Sequence, residues 1–225
     1  MSKNMLCSNL LVGVSGSIHG LQIYNYLRLF RESLAQNIKV IMTVNAMHFV
    51  DPKTMELFID EHAFIDLWDQ TSSIRKVPHI ELSRWADLFV VVPATADIIG
   101  KAANGIADDL LSTTILSYSG TIAFVPAMNI SMWRSKALQR NIKTLEEDGH
   151  YIVSPDVRGL AIGTGEQDAV SSVPDTVLLH LKHVRMRQLR NDYWQEATRE
   201  KPLTPMERKL RDRTQRASDK TRPPA

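Results

Sequence analysis

The chain has 225 residues and a formal net charge of +2, and it is long enough to bury a substantial core in one large domain with an appendage. Its apolar runs, such as residues 88–92 and 122–125, are far shorter than the roughly 20 residues of a membrane helix, so we expect no membrane partner. Cys7 is the only cysteine and no apolar signal segment precedes the first strand, which excludes an intramolecular disulfide and predicts a cytoplasmic protein.

Short runs of apolar and β-branched residues alternate along the chain with longer segments that have the apolar spacing of helices. The predicted strands are residues 10–14, 39–44, 88–92, 121–125 and 150–153. The predicted helices are residues 19–34, 94–103, 108–118, 133–148 and 173–181. In the first helix, the residues predicted to face the core are Leu21, Tyr24, Leu27, Leu29 and Phe30. This alternation predicts an α/β fold, with a Rossmann-like or flavodoxin-like parallel sheet flanked by helices in a three-layer sandwich.

The chain ends in a basic segment, residues 183–225, which we predict to be a separate and largely disordered tail after a domain of residues 1–182. The tail holds 12 of the 27 Lys and Arg residues and 6 of the 25 Asp and Glu residues, which gives it a charge of +6 and leaves −4 on the domain. A helix that persists to Trp194 is compatible with the pattern. Because the tail lacks interleaved aromatic residues, we expect no nucleic-acid partner.

The carboxyl ends of the predicted parallel strands are where such a sheet binds ligands. After the first strand, Ser15, Gly16 and Ser17 lie in a glycine- and serine-rich loop that is typical of a phosphate cradle, although a bare tight turn explains the same residues. After the second, the Thr43 hydroxyl is either a ligand contact or a helix cap. Two later strands end in Pro-Ala, at Pro93 and Pro126, which predicts two sharp turns that face one ligand.

The residues after Pro126 carry the most specific pattern in the chain. Pro126, Met128, Asn129, Met132 and Trp133 form a PxMNxxMW motif, which resembles the signature of the homo-oligomeric flavin-containing cysteine decarboxylases. That family includes phosphopantothenoylcysteine decarboxylase, the salt-tolerance flavoproteins, and the peptidyl-cysteine decarboxylases of lantibiotic, linaridin and thioamide-peptide biosynthesis.

Residues 79–82, 93–96 and 101–111 also resemble segments of this family, although Asp97 and Ile98 replace its Asn and Thr. The resemblance implies an FMN cofactor, with FAD as the alternative, and an assembly of trimers that are often joined into dodecamers. The cofactor-binding residues that it implies are Ser15, Gly16, Ser17, Thr43, Thr95 and Ala96. The implied catalytic residues are His79 as a base and Asn129 as the group that orients the carboxylate.

The resemblance places a substrate-closing flap near residues 154–166, so the predicted substrate contacts are Asn129, Met132, Ile162, Gly163 and Thr164. Phosphopantothenoylcysteine decarboxylases have a cysteine in this flap that reduces the product, and this chain has none there. We therefore expect an aminoenethiol product, made from the C-terminal cysteine of a ribosomally synthesised precursor peptide. The alternatives are phosphopantothenoylcysteine decarboxylation and a non-catalytic, flavin-binding regulatory role. No set of histidines or acids has the spacing of a metal site, so we expect no metal.

Overall fold

The computed structural model of the chain describes residues 5–68, 77–159 and 169–198. The strands are Cys7–Val14 (β1), Ala35–Met42 (β2), Leu88–Ala94 (β3), Ile122–Pro126 (β4), Met128–Asn129 (β5), Tyr151–Ile152 (β6), Val157–Gly159 (β7) and Ala169–Ser171 (β8). The α-helices are Ile23–Ser33 (α1), Pro52–Met55 (α2), Pro78–Trp85 (α3), Ala96–Ala103 (α4), Leu110–Ser117 (α5), Ile130–Trp133 (α6), Lys136–Glu147 (α7) and Pro174–Thr198 (α8). Short 3-10 helices cover Ile18–Gln22 and Val44–His48.

The main sheet has five parallel strands in the order β2-β1-β3-β4-β6, which confirms the predicted fold class. The chain first moves outward from β1 to β2 and then crosses back to place β3 on the other side of β1. This reversal makes the carboxyl ends of β1 and β3 the switch point, where a doubly wound sheet opens a crevice for a ligand.

Two apolar clusters cover the two faces of the sheet. Along β1, Leu10 and Val12 pack into the cluster that contains α1 and α8, while Leu11 packs into the cluster that contains α3, α4, α5 and α7. The strand β3 is buried at every position because both of its faces are covered, which explains its continuous apolar sequence. Successive side chains along one strand thus point to opposite faces of the sheet, so the same strands support a layer of helices on each face.

Several predicted elements differ from the structure at their ends. The first predicted helix begins as the 3-10 turn Ile18–Gln22, so Leu21 is 55% exposed and the prediction that it faces the core is wrong. The predicted helix 133–148 begins later, as α7, because Trp133 ends α6 and Ser135 caps α7 by accepting a hydrogen bond from the Leu138 amide at 3.2 Å. Gly149 follows the end of α7 with a φ of 88°, a left-handed conformation that glycine adopts readily.

A small antiparallel sheet, in the order β5-β8-β7, was not predicted. Its strands have only two or three residues, too few to show a period of two in the sequence. Met128 of β5 pairs with Val170 of β8, so the segment that carries the PxMNxxMW motif is fixed to β8 through its backbone.

The described residues up to Gln188 belong to one compact unit, and those from Leu189 to Thr198 belong to a second. In the second unit, the rings of Tyr193 and Trp194 are in edge contact with centroids 5.8 Å apart. Most of the predicted tail lies outside the described residues, so its boundary after residue 182 and its disorder stay predictions. No helix in the described ranges is long and apolar enough to cross a membrane.

Candidate functional site

A cavity of about 380 Å³ lies at the switch point of the main sheet, within the size range of small-molecule sites. It brings together residues from five separate segments of the chain. Among those that line it are Ser15, Gly16, Thr43, Thr95, Ala96 and Met132. Five of the six predicted cofactor residues and one predicted substrate residue therefore meet at one place, although they are up to 117 positions apart in the sequence.

Ser15 joins the ends of β1 and β3. Its side chain is buried, and its hydroxyl donates a hydrogen bond to the Pro93 carbonyl at 2.7 Å and accepts one from the Thr95 amide at 3.0 Å. The hydroxyl therefore holds the turns after β1 and β3 together. Ser15 would affect ligand binding mainly by fixing the shape of these two turns.

Gly16 is required by the close approach of two loops. A Cβ atom at this position would lie 2.5 Å from the Cβ of Asn45 and 2.9 Å from its carbonyl carbon. The loop after β1 can therefore pack against the loop after β2 only if residue 16 has no side chain.

Ser17, Thr43 and Thr95 each cap the helix that follows. Ser17 Oγ accepts from the His19 amide at 3.3 Å, Thr43 Oγ1 from the Ala46 amide at 3.3 Å, and Thr95 Oγ1 from the Ile98 amide at 3.4 Å. The sequence allowed two roles for the Thr43 hydroxyl, and the structure shows that it caps a helix. A contact between Thr43 and a ligand stays a prediction. Ser17 is not among the residues that line the cavity in the described part of the chain.

Polar and charged side chains from α4 and the loop before α5 form one wall of the cavity. Lys101 Nζ lies 2.9 Å from Asp108, 3.4 Å from Asp109 and 3.5 Å from Asp97. Burial acts to lower the pKa of Lys101, but the hydrogen bond to Asp108 and the neighbouring carboxylates outweigh it, so the pKa is raised. Sequence reasoning placed Asp108 and Asp109 at a helix end but missed this cation between them.

The two departures from the family pattern lie in different surroundings. Ile98 is 1% exposed and packs in the core beneath α4, so its replacement of a polar residue does not remove a group from the cavity. Asp97 lines the cavity and its side chain is 70% exposed. Only the Asp97 departure therefore changes the chemistry that a ligand would meet.

The structure does not place His79 at this cavity. His79 is the second residue of α3, and its backbone carbonyl accepts a hydrogen bond at 3.3 Å from Ser117, the last residue of α5. The cavity-lining Asp109 caps the opposite end of the same eight-residue helix, which has a length of about 12 Å. His79 Nδ1 is buried without a hydrogen-bond partner among the described residues.

Asn129 occupies the N-cap of α6, where its Oδ1 accepts a hydrogen bond from the Ser131 amide at 2.6 Å. Its Nδ2 group makes no hydrogen bond to the residues that the structure describes. Met132 on α6 lines the first cavity, while Ile130 and Trp133 line a second cavity of about 430 Å³. The helix that begins at Asn129 thus borders both spaces. The predicted substrate contacts Ile162, Gly163 and Thr164 lie outside the described residues.

A doubly wound sheet whose switch point joins a glycine-serine loop to the capped turn before α4 is the architecture of a protein that binds a nucleotide-like cofactor. The sequence matches the Flavoprotein family over residues 1–182, so the chain belongs to that family and the predicted flavin cofactor is confirmed. The cavity has the volume of a small-molecule site, and Gly16 lines it where the close packing of the loops after β1 and β2 leaves no space for a side chain.

Two curated relatives match most of the chain. Mersacidin decarboxylase from Bacillus sp. (strain HIL-Y85/54728) is 35% identical over 77% of this chain and 88% of its own length. The coenzyme A biosynthesis bifunctional protein CoaBC from Bacillus subtilis (strain 168) is 38% identical over 78% of this chain, but the match covers 43% of that protein. The predicted resemblance to flavin-containing cysteine decarboxylases is confirmed.

Solved structures give the same result. The FMN-dependent cysteine decarboxylase SpaF superposes with a TM-score of 0.67 at 28% identity, over 80% of this chain and 96% of its own. A variant of EpiD in complex with the substrate peptide DSYTC superposes with a TM-score of 0.67 at 26% identity, over 77% of this chain and 98% of its own.

Proposed function

We propose that this protein decarboxylates the C-terminal cysteine of a ribosomally synthesised precursor peptide oxidatively, and that the product is an aminoenethiol. The proposal rests on one observation: Met132 of the PxMNxxMW segment lines the same cavity as Ser15, Thr43 and Thr95. The EpiD relative, whose substrate peptide DSYTC ends in cysteine, supports the substrate class.

An amino-acid carboxylate does not leave readily, because the electron pair that stays on the α carbon has no acceptor. A flavin held by the loops at Ser15, Thr43 and Thr95 would supply two-electron oxidation chemistry. The cysteine side chain would lose two electrons and two protons, and its C–S single bond would become a C=S bond that can accept the electron pair. The bond between Cα and the carboxylate can then break, and its electrons form a Cα=Cβ bond while the sulfur becomes a thiolate. An external acceptor such as O2 would complete the cycle.

Asn129 is the group that would hold the departing carboxylate. Its Oδ1 is occupied by the Ser131 amide, which fixes the side chain and leaves the Nδ2 hydrogens free to donate. A neutral donor suits this role, because it orients the carboxylate without the strong stabilisation that a cation would give to the ground state.

The position of His79 supports a homo-oligomer, and we propose a trimer of the kind that is joined into dodecamers. Because α5 separates His79 from the cavity of its own subunit, the histidine would act as a base at the cavity of a neighbouring copy. Apolar side chains surround it at the surface: Val77 is 39%, Ile80 36% and Leu116 60% exposed. Such a patch is typical of a subunit interface.

Co-assembly of two inactive variants tests this arrangement. In mixed oligomers of His79→Asn and Asn129→Asp subunits carrying different tags, about a quarter of the sites combine an intact His79 with an intact Asn129 if the two come from different subunits. Activity of that order would support the shared site. Mixed oligomers that are as inactive as each variant alone would show that both residues serve the same subunit.

The reaction itself is tested by the mass of the product. Incubation of the holoprotein with a peptide ending in cysteine should lower the peptide mass by about 46 Da, which corresponds to CO2 and two hydrogens. The matched control is the same peptide with a C-terminal serine, which has no thiol to oxidise and should keep its mass.

The second candidate function is phosphopantothenoylcysteine decarboxylation, which the CoaBC relative favours. There, a cysteine would have to reduce the product. Cys7 starts β1, and the cavity lies beyond the end of this eight-residue strand, about 23 Å away. Burial also raises the pKa of the Cys7 thiol to about 12. The only cysteine in the sequence is therefore unsuited to this step, and the oxidative reaction is the better supported one.

A further inference from the structure

Asp97 carries a negative charge at the cavity that its neighbours only partly compensate. It is the second residue of α4, its side chain is 70% exposed, and its ion pair with Lys101 has a length of 3.5 Å. Lys101 is closer to Asp108, at 2.9 Å, and it also contacts Asp109. One ammonium group is thus shared by three carboxylates.

The other two carboxylates both accept hydrogen bonds from Ser112 at the start of α5. Asp109 caps α5 by accepting from the Ser112 amide at 2.7 Å, and the Ser112 hydroxyl completes a capping box. The hydrogen bond from Lys101 lowers the pKa of Asp108. Asp97 caps no helix among the described residues. Its carboxylate is therefore the negative charge at the cavity that has no structural role there.

This charge lies where an anion would otherwise be favoured. Ala96 and Asp97 begin α4 and line the cavity, so the positive end of the helix dipole lies beside it. Asp97 places its own carboxylate in that turn and reduces the attraction. Lys101 is the one cation that lines the cavity in the described ranges, and its charge is already shared.

We infer that Asp97 is a specificity-determining residue for the cofactor: it weakens binding of the phosphorylated flavin and disfavours a phosphate at the first turn of α4. The inference depends on the proposed placement of the flavin in this cavity. A neutral ribityl chain or ring meets little electrostatic cost beside the carboxylate, whereas a phosphate dianion is repelled.

The test compares two ligands that differ by the phosphate alone. Binding of FMN and of riboflavin to the apoprotein is measured by quenching of flavin fluorescence, for the native chain and for Asp97→Asn. At low salt the variant should bind FMN about two- to fivefold more tightly and riboflavin with unchanged affinity, because the amide keeps the shape and removes the charge. At high salt the gain for FMN should shrink.

Glu147→Gln is the matched control, since Glu147 forms an exposed i,i+4 ion pair with Lys143 at 3.5 Å, the same separation as the Asp97 pair. It should change neither affinity. An unchanged FMN affinity in Asp97→Asn, or an equal change for both ligands, would overturn the inference. Failure of the native apoprotein to bind either flavin would instead contradict the placement of the cofactor.

Discussion

The two edges of the main sheet use polar groups in opposite ways. At the amino-terminal edge, both the Ser8 and Asn9 amides donate to Asp87 at 2.9 Å, and Arg185 donates to the carbonyls of Leu6 and Asp87. At the carboxyl-terminal edge, capped turns surround a cavity, and the N-cap residue of α6, Asn129, has an Nδ2 group without a hydrogen-bond partner among the described residues. Polar groups that satisfy one another give stability, whereas groups with unused hydrogen-bonding capacity are available for a ligand.

The largest effect should follow from Asn129→Asp. Aspartate keeps the oxygen that caps the Ser131 amide, but it removes the two N–H donors and repels the substrate carboxylate. We expect a loss of decarboxylation of about 100- to 1,000-fold, with flavin content and thermal stability unchanged. Steady-state assays by peptide mass measure the loss, and absorbance of the purified protein measures the flavin. A variant with near-native activity would remove Asn129 from the site.

Gly16→Ala should lower both the stability of the fold and the flavin content, because it changes the carboxyl-terminal edge of the sheet. The added Cβ would meet Asn45 at 2.5 Å, so the loops after β1 and β2 must move apart. We expect a destabilisation of about 1–3 kcal/mol and loss of most bound flavin. Urea unfolding and flavin-to-protein absorbance ratios give the two values. The control is Gly149→Ala, at the end of α7 with φ of 88°, where strain is also introduced but no cavity-lining residue is adjacent in the chain.

Asp87→Ala tests the opposite edge. It removes the acceptor of two backbone amides, and we expect a loss of about 1–3 kcal/mol in the free energy of unfolding. The flavin affinity of the folded fraction should stay unchanged, because the cavity lies at the other end of the strands. A change in flavin affinity that exceeds the change from Gly16→Ala would contradict the division of roles between the edges.

The smallest effect should come from Cys7→Ala. The Cys7 thiol is 2% exposed and donates a hydrogen bond to the Leu34 carbonyl at 3.6 Å, so its loss should cost about 1 kcal/mol and leave the mass of the product unchanged. Burial raises the pKa of the thiol from 9.0 to about 12, so the unfolded chain loses this proton first as the pH rises. Stability contributed by the protonated thiol is therefore lost between pH 9.0 and about 12, and Cys7→Ala should show a shallower loss in that range.

The sequence predicted the sheet well because buried parallel strands leave continuous apolar runs, as in β3. Of the six cofactor residues that the family resemblance implies, five line one cavity together with Met132, because the glycine and hydroxyl residues of these turns lie at strand ends. The sequence could not predict the Lys101 network, since an ion pair among residues 97, 101, 108 and 109 depends on the angle between α4 and the loop before α5.

The distance of His79 from the cavity could not be predicted either. A histidine segment in the sequence indicates a residue type, whereas its placement beyond α5 depends on how α3 packs against α5. The sequence thus predicts the groups that the proposed reaction would use, and the structure shows which of them lie together in one copy of the chain.

The most direct test of the oxidative reaction mixes the holoprotein, without oxygen, with a peptide that ends in cysteine. The visible absorbance of the flavin and the peptide mass are followed together. The proposed reaction predicts bleaching of one flavin for each peptide that loses about 46 Da, and recovery of the absorbance when air is admitted. A loss of about 44 Da with no lasting bleaching would contradict it, because the carboxylate would then leave without net oxidation of the cysteine.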